Sequence, residues 1–169
     1  MAKIIHMKNF KLTIILLMLT TIVFAQKSPR KQVNGTIGHV SVDIDFGAPS
    51  VRERVIWGEL VPYNQVWRAG ANENTTISFD EEVTIKNKAI YAGKYGFFII
   101  PKEDSDWTII LSSENDAWGS NSYNENEDVL RMNVTPQIVE ENQEELNYSI
   151  NNEGIEIAWE KVRLFIPIK

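Results

Sequence analysis

The stretch Val40-Ser-Val-Asp-Ile-Asp-Phe46 alternates strictly between apolar and polar side chains. Because successive side chains of a β-strand point to opposite faces, this alternation predicts a strand with one face in a core and the other in water. Further short runs rich in β-branched and aromatic residues follow it, as is typical of strands. These runs are 75–79, 83–85, 89–91, 95–100, 107–111, 129–134, 146–150, 155–159 and 162–168.

Turn-forming residues separate the runs at short intervals. Lys86-Asn-Lys88 joins two of them as a hairpin, and Asn151-Asn-Glu-Gly154 is a strong turn between two others. Only 139–146 carries a trace of helical spacing, and its glutamates favour a solvated face or a loop. About ten short strands predict an all-β fold, a single antiparallel β-sandwich or jelly-roll-like domain over 26–169.

The first 25 residues have the order of a secretory signal peptide. Lys8 and Lys11 precede an uncharged run at 12–24, which closes on Val23-Phe24-Ala25. The run is shorter than the ~20 residues that a spanning helix needs. We therefore expect a cleaved leader at 1–25, export to the periplasm or outside the cell, and no membrane span after cleavage. An uncleaved tether is the alternative, and the absence of Cys argues against a lipid anchor.

Charge and composition exclude several function classes. The 169 residues include 17 basic and 23 acidic side chains and no Cys. Removing 1–25 takes away three lysines and no acid, which leaves 144 residues with a net charge of −9. Such a chain is not expected to bind nucleic acid. With His39 as the only remaining imidazole and no nucleotide-binding motif, we expect no metal site and no cofactor.

The segment 49–74, PSVRERVIWGELVPYNQVWRAGANEN, does not follow the strand pattern. Loops of this length inside a compact domain are uncommon and often functional. Its aromatic residues lie among arginines, including Arg54 and Arg68. The simpler interpretation is that the tryptophans close one end of the sandwich and the arginines are solvated or paired with acids.

Arg68, Asn72 and Glu73 form the first candidate site. Together they offer a forked set of donors, an amide and a carboxylate, which suit a ligand with hydroxyls or a carboxylate. Gly70 between them would let the backbone turn tightly and direct the three side chains to one point. The structural alternative is an ion pair between Arg68 and Glu73 that holds the loop.

Trp118 and Tyr123 form the second candidate, in a loop rich in Asn and Ser. Flat rings beside amides such as Asn115 suit the apolar face of a sugar. The alternative is an aromatic lid over the core.

Several motifs resemble those of a family of exported bacterial proteins of unknown function, found mainly in Bacteroidota. They are Arg54-Val-Ile-Trp-Gly-Glu-Leu-Val-Pro-Tyr63, Val66-Trp-Arg-Ala-Gly-Ala-Asn-Glu73, Ala92-Gly-Lys-Tyr-Gly-Phe-Phe98, Trp107-Thr-Ile-Ile-Leu111 and Trp118-Gly119. The resemblance spans nearly the whole chain after the leader. It implies an exported β-rich domain and no particular reaction, ligand or catalytic residue.

The sequence thus favours a binding or accessory module for a small polar or carbohydrate ligand in the cell envelope. The segment 54–73 would form the binding end, with Arg54, Arg68, Asn72 and Glu73 as polar contacts and Trp67 or Trp118 as a stacking wall. One alternative is a carboxylate-dependent hydrolase of an envelope glycan, with Glu73 as general acid or base. The other is a purely structural envelope protein. No catalytic residue is assigned, and no residue indicates the oligomeric state.

Overall fold

A computed structural model describes residues 27–169, so the predicted leader lies outside the described residues. Ten strands and one turn of 3-10 helix, Glu125–Glu127, make up the regular structure of this part of the chain. The strands are β1 (Arg30–Ile37), β2 (Val40–Gly47), β3 (Thr75–Phe79), β4 (Val83–Ile85), β5 (Lys88–Ile90), β6 (Gly93–Ile100), β7 (Trp107–Ser112), β8 (Asp128–Val134), β9 (Gln137–Asn151) and β10 (Gly154–Pro167).

Six strands form the larger sheet, in the order β1-β2-β3-β6-β7-β8, and every pair is antiparallel. In β2 the residues 40, 42, 44 and 46 are buried, while Asp43 and Asp45 are only partly covered. The alternation in the sequence therefore sets the face that this strand turns to the core. Neighbouring strands follow one another along the chain except where the small β4-β5 hairpin intervenes.

The long hairpin of β9 and β10 covers the other side of the core. The register of this hairpin shifts on both sides of Glu160, whose φ is 52°, so the strand carries a bulge there. The β4-β5 hairpin joins the end of β10, because Thr84 and Lys169 exchange backbone hydrogen bonds of 2.6 and 3.0 Å.

The core lies between the two layers. Residues from the larger sheet, including Ile77, Phe97 and Leu111, surround a void of only about 10 Å³ together with Ile155 and Ile166 of β10. A void of this size holds no ligand, so the interior is packed. The space that the described residues leave between the two layers therefore offers no ligand site.

The predicted all-β antiparallel sandwich of ten strands is confirmed. Individual elements differ from the prediction: β1 was not predicted, and the runs 155–159 and 162–168 form the single strand β10. The acidic segment 139–146, predicted as a loop or solvated face, lies within β9. The sequence did not indicate a strand there because many of its side chains are exposed. An exposed strand needs no alternation of apolar and polar residues.

Candidate functional site

Residues 48–74 connect β2 to β3 and close one end of the sandwich. Trp67 anchors this loop, because its backbone N–H and C=O both bond to Ile99 of β6, at 2.8 and 2.9 Å. The carbonyl of Ala69 accepts hydrogen bonds from the Thr75 hydroxyl at 3.0 Å and from the buried Tyr148 hydroxyl at 2.6 Å. Burial raises the pKa of Tyr148, which keeps that hydroxyl a donor. The loop is therefore fixed to both layers.

Gly47 and Gly70 let the loop approach β2 closely. A Cβ on Gly47 would lie 2.0 Å from the carbonyl oxygen of Ala71, and one on Gly70 would lie 2.6 Å from the Thr75 hydroxyl. The left-handed backbone falls instead on Ala69 and Asn72, whose φ angles are 51° and 66°. Gly70 thus serves close packing, and the tight turn predicted for it is made by its neighbours.

Four tryptophans form a cluster beneath the loop. Trp57 packs against Trp67, Trp107 and Trp159 with ring centroids 4.6–5.6 Å away, and Trp67 stacks on Trp159 at 5.5 Å. Trp67 is only 9% exposed, so its ring belongs to the core. This cluster matches the simpler interpretation of the sequence, in which tryptophans close one end of the sandwich.

A concavity of about 700 Å³, here called the polar cavity, lies beside the loop. It brings together Asn72, Glu73 and Trp118 of the predicted site, along with Asn115. Its charged lining residues are Lys27, Arg30, Asp45, Glu73, Lys94 and Asp116. Three acids therefore face three bases in one concavity.

Most of the polar cavity's charges are already satisfied by neighbours. Arg30 bonds to the Asp45 carboxylate at 2.5 Å and to the carbonyls of Glu73 and Asn74 at 3.2 Å. Glu73 lies 3.8 Å from the Lys27 ammonium, whose nitrogen is 5.5 Å from the centre of the Trp118 ring. Sequence reasoning did not identify Arg30, because the strand that carries it was not predicted.

Trp118 is held in place by its backbone while its ring stays in solvent. The N–H of Asn74 bonds to the Ala117 carbonyl at 3.0 Å, and the Asn74 side-chain oxygen accepts from the Ala117 N–H at 3.2 Å. The N–H of Gly119 bonds to the Asn72 carbonyl at 3.0 Å. The ring between these anchors is 63% exposed. Trp118 is therefore a fixed, exposed aromatic surface at the cavity.

Arg54, Trp67 and Arg68 line a second concavity of about 300 Å³, here called the arginine cavity. Apolar residues and one further indole complete much of its wall, namely Leu60, Val66 and Trp159. Arg68 is half-buried, and this burial lowers the pKa of its guanidinium. Within residues 27–169, no ion pair joins Arg68 to Glu73. The predicted trio of Arg68, Asn72 and Glu73 is thus divided between two cavities.

Tyr123 lies apart from both cavities. Its hydroxyl contacts the Asp128 carboxylate at 2.7 and 2.8 Å and accepts from Arg131 at 2.9 Å, and its ring packs on Phe98. Burial and the Asp128 carboxylate raise the pKa of Tyr123. The structure places this side chain in a local polar network beside β8, not beside Trp118.

Fold and site together define the class: a two-layer β-sandwich whose long β2-β3 loop carries two cavities at one end. Residues 28–168 match the family model described as "Protein of unknown function (DUF2911)", and the chain belongs to that family. Neither the curated proteins nor the solved structures yielded a match. The predicted membership of an unknown-function family is confirmed at this level.

The described residues contain neither a cluster of metal ligands nor a membrane-spanning helix. Among residues 27–169, no three His, Asp or Glu side chains are grouped as ligands for a metal ion. No helix within the same range is long and apolar enough to cross a membrane.

Proposed function

We propose that this protein is a binding or accessory module that holds a small polar ligand, best matched by a carbohydrate, in the polar cavity. The observation that carries the proposal is Trp118, an exposed ring fixed by its backbone beside a concavity of about 700 Å³. The flat apolar face of an indole supports the apolar face of a sugar ring. The volume lies within the usual range of ligand sites.

The amides of the cavity supply suitable partners for hydroxyl groups. Asn115 donates to the carbonyls of Lys94 and Ser113, at 2.9 and 3.3 Å, and Asn72 donates to the Ser28 carbonyl at 3.4 Å. These bonds orient the two amides and leave their side-chain oxygens as acceptors. Glu73 adds a half-exposed carboxylate. A ligand with several hydroxyls would meet acceptors on more than one side.

The Lys27 ammonium occupies the face of Trp118 on which a ligand would stack, so a ligand must displace it or bond to it. The ammonium lies over the Trp118 ring, and the Lys27 side chain is 66% exposed. A sugar ring on that face of Trp118 would take the place of the ammonium, which can turn towards a ligand hydroxyl as a donor.

Calorimetric titration against a panel of neutral and acidic oligosaccharides tests the proposal. We expect heat with at least one saccharide, and an affinity reduced roughly tenfold or more by Trp118→Ala. Tyr91→Ala is the matched control, because Tyr91 is also an exposed aromatic residue but does not line the cavity. Absence of heat with every saccharide, or equal affinity for the Trp118 variant and the wild type, would contradict the proposal.

A carboxylate-dependent hydrolase is the second candidate, favoured by the position of Glu73 in the same cavity as Asp45 and Asp116. One carboxyl would protonate the leaving oxygen and another would activate water or attack the sugar. Release of reducing ends from an envelope glycan, abolished by Glu73→Gln, would support it. If neither binding nor hydrolysis is found, the purely structural role remains.

We also place the protein outside the cytoplasm, in the periplasm or beyond, on the order of residues in 1–25. Mass spectrometry of the protein purified from its native host tests this. A mature chain beginning at Gln26 is expected, and a cytoplasmic protein that retains residues 1–25 would contradict the assignment.

A further inference from the structure

The arginine cavity differs from the polar cavity in the sign of its lining. Its walls include two guanidinium groups, Arg54 and Arg68, and no Asp or Glu of the described residues. The whole sequence is acidic, with a formal net charge of −6. A concavity that carries only positive charge in an acidic protein attracts anions more strongly than the surrounding surface does.

Among residues 27–169, Arg68 has no partner for its charge. Its side chain forms no hydrogen bond or ion pair with residues 27–169, and its Nε is fully buried without an acceptor. Although burial lowers its pKa, an arginine stays protonated at neutral pH. Native structures seldom leave a half-buried charge without a partner, because desolvation is then uncompensated. An anion bound in the cavity would supply a counter-charge to the half-buried guanidinium.

Arg54 is held at the cavity by carbonyls alone. Its Nε donates to the Val51 carbonyl at 3.1 Å and its Nη2 to the Ser50 carbonyl at 2.5 Å. These bonds fix the direction of the side chain and leave its positive charge unneutralised by any carboxylate of the described residues. A second positive charge thus stands at the same cavity.

The rest of the lining is suited to an apolar body. Leu60 and Val66 supply apolar surface beside the largely buried rings of Trp67 and Trp159, and the indole N–H of Trp159 is buried without an acceptor among the described residues. The volume of about 300 Å³ is at the lower end of the range for ligand sites. Size, charge and lining together describe a small organic acid better than a hydrated inorganic ion or a polyhydroxyl sugar.

We infer that the arginine cavity is a separate binding site for a small carboxylate with an apolar or aromatic body, anchored by Arg68. The two oxygens of a carboxylate match the forked donors of a guanidinium. This site does not depend on the carbohydrate proposal, since Arg54 and Arg68 do not line the polar cavity.

Titration of the ¹⁵N-labelled protein with benzoate, and in parallel with uncharged benzamide, tests the inference. The five tryptophans give five indole N–H signals, which serve as reporters. We expect benzoate to shift the signals of Trp67 and Trp159 with saturation, benzamide to bind at least roughly tenfold more weakly, and Trp118 to stay unchanged. Equal shifts with both compounds, no saturation, or shifts confined to Trp118 would overturn the inference.

Arg68→Gln sharpens the test. This variant should lose roughly tenfold or more in benzoate affinity, whereas Arg163→Gln should retain it. Arg163 is a fitting control because it is also partly buried, donates to carbonyls of Glu160, Val162 and Glu141, and does not line the cavity. Wild-type affinity in a folded Arg68→Gln protein would overturn the inference. If that variant does not fold, the wild-type comparison of benzoate with benzamide decides.

Discussion

Ser28 lines both cavities, but the charged residues of the two cavities differ in whether they are paired. In the polar cavity Arg30 contacts Asp45, and Glu73 lies beside Lys27, so four of the six lining charges are paired within the protein. In the arginine cavity Arg68 has no partner among the described residues. A ligand of the polar cavity must therefore compete with existing pairs, whereas an anion in the arginine cavity would pair with Arg68 without displacing a described carboxylate. The pairing of charges alone can therefore make one of two adjacent cavities suit an uncharged polar ligand and the other an anion.

Gly47→Ala is expected to have the largest effect on both cavities, because it forces the 48–74 loop away from β2. The new Cβ would lie 2.0 Å from the backbone oxygen of Ala71, so the loop that borders both cavities must move. We expect a loss of about 2 to 3 kcal/mol in the free energy of unfolding, measured in urea. Gly38→Ala is the control, since open space surrounds Gly38 and only its positive φ is strained, at a cost of about 1 kcal/mol. Equal losses in the two variants would show that the close approach is unimportant.

Tyr148→Phe removes the hydroxyl that holds Ala69 and should cost about 1 to 2 kcal/mol at pH 7. A pH dependence accompanies it. The raised pKa means that the folded protein keeps the phenol proton above pH 10, where the unfolded chain loses it. The stabilising contribution is therefore complete below pH 10 and decreases as the pH rises above it, by up to about 1.4 kcal/mol per pH unit.

Urea unfolding of the wild type and of Tyr148→Phe between pH 8 and 11 measures this effect. The difference in stability between the two proteins should narrow above pH 10. The other tyrosines with raised pKa values, Tyr63, Tyr95 and Tyr123, are present in both and cancel in the difference. A constant difference across the range would contradict the assigned burial.

Met replacements of Arg30 and Arg68 compare a paired charge with one that has no partner among the described residues. Arg30→Met should cost about 1 kcal/mol, because it deprives the Asp45 carboxylate and three backbone carbonyls of a donor. Arg68→Met should leave stability unchanged or raise it slightly, since no bond is lost and a partly buried charge disappears. Thermal unfolding in dilute buffer measures both. A larger loss for Arg68→Met than for Arg30→Met would mean that the Arg68 charge has a protein partner after all.

The smallest effect is expected for Lys27→Ala. The pair with Glu73 is long and exposed, so stability should change by less than about 0.5 kcal/mol. The ring of Trp118 should nevertheless become more accessible, because the ammonium over it is removed. Quenching of the exposed tryptophan fluorescence by acrylamide, which is uncharged, measures the accessibility. Unchanged quenching would show that Lys27 does not cover the ring in solution.

Sequence alone predicted the elements whose faces differ in polarity. The alternation of Val40 to Phe46 is such a case, and β2 lies where it was expected. β1 was missed because most of its side chains are exposed, with Gln32 and Asn34 among them, so no apolar face marks it. The register of β10 against β9 shifts on both sides of Glu160 but the strand does not end there, whereas the sequence predicts two strands.

The long loop was recognised by its tryptophans and arginines, but its division into two cavities could not be foreseen. That division depends on contacts between distant parts of the chain, such as Asn74 with Ala117 and Arg30 with Glu73. The sequence places Arg68 and Glu73 five positions apart, and it left two interpretations open, a shared ligand site and an ion pair between them. The left-handed backbone at Ala69 and Asn72 turns the segment between them in a way that no propensity for those residues indicates.

Ser28 lines both cavities, and its segment is held where the Ala48 N–H bonds to the Pro29 carbonyl at 2.8 Å and the Asn72 side chain donates to the Ser28 carbonyl. Ser28 is therefore the residue through which the two concavities can be thermodynamically linked. A ligand that shifts Ser28 as it enters one of them alters the affinity of the other. By reciprocity the second ligand must alter the first by the same factor.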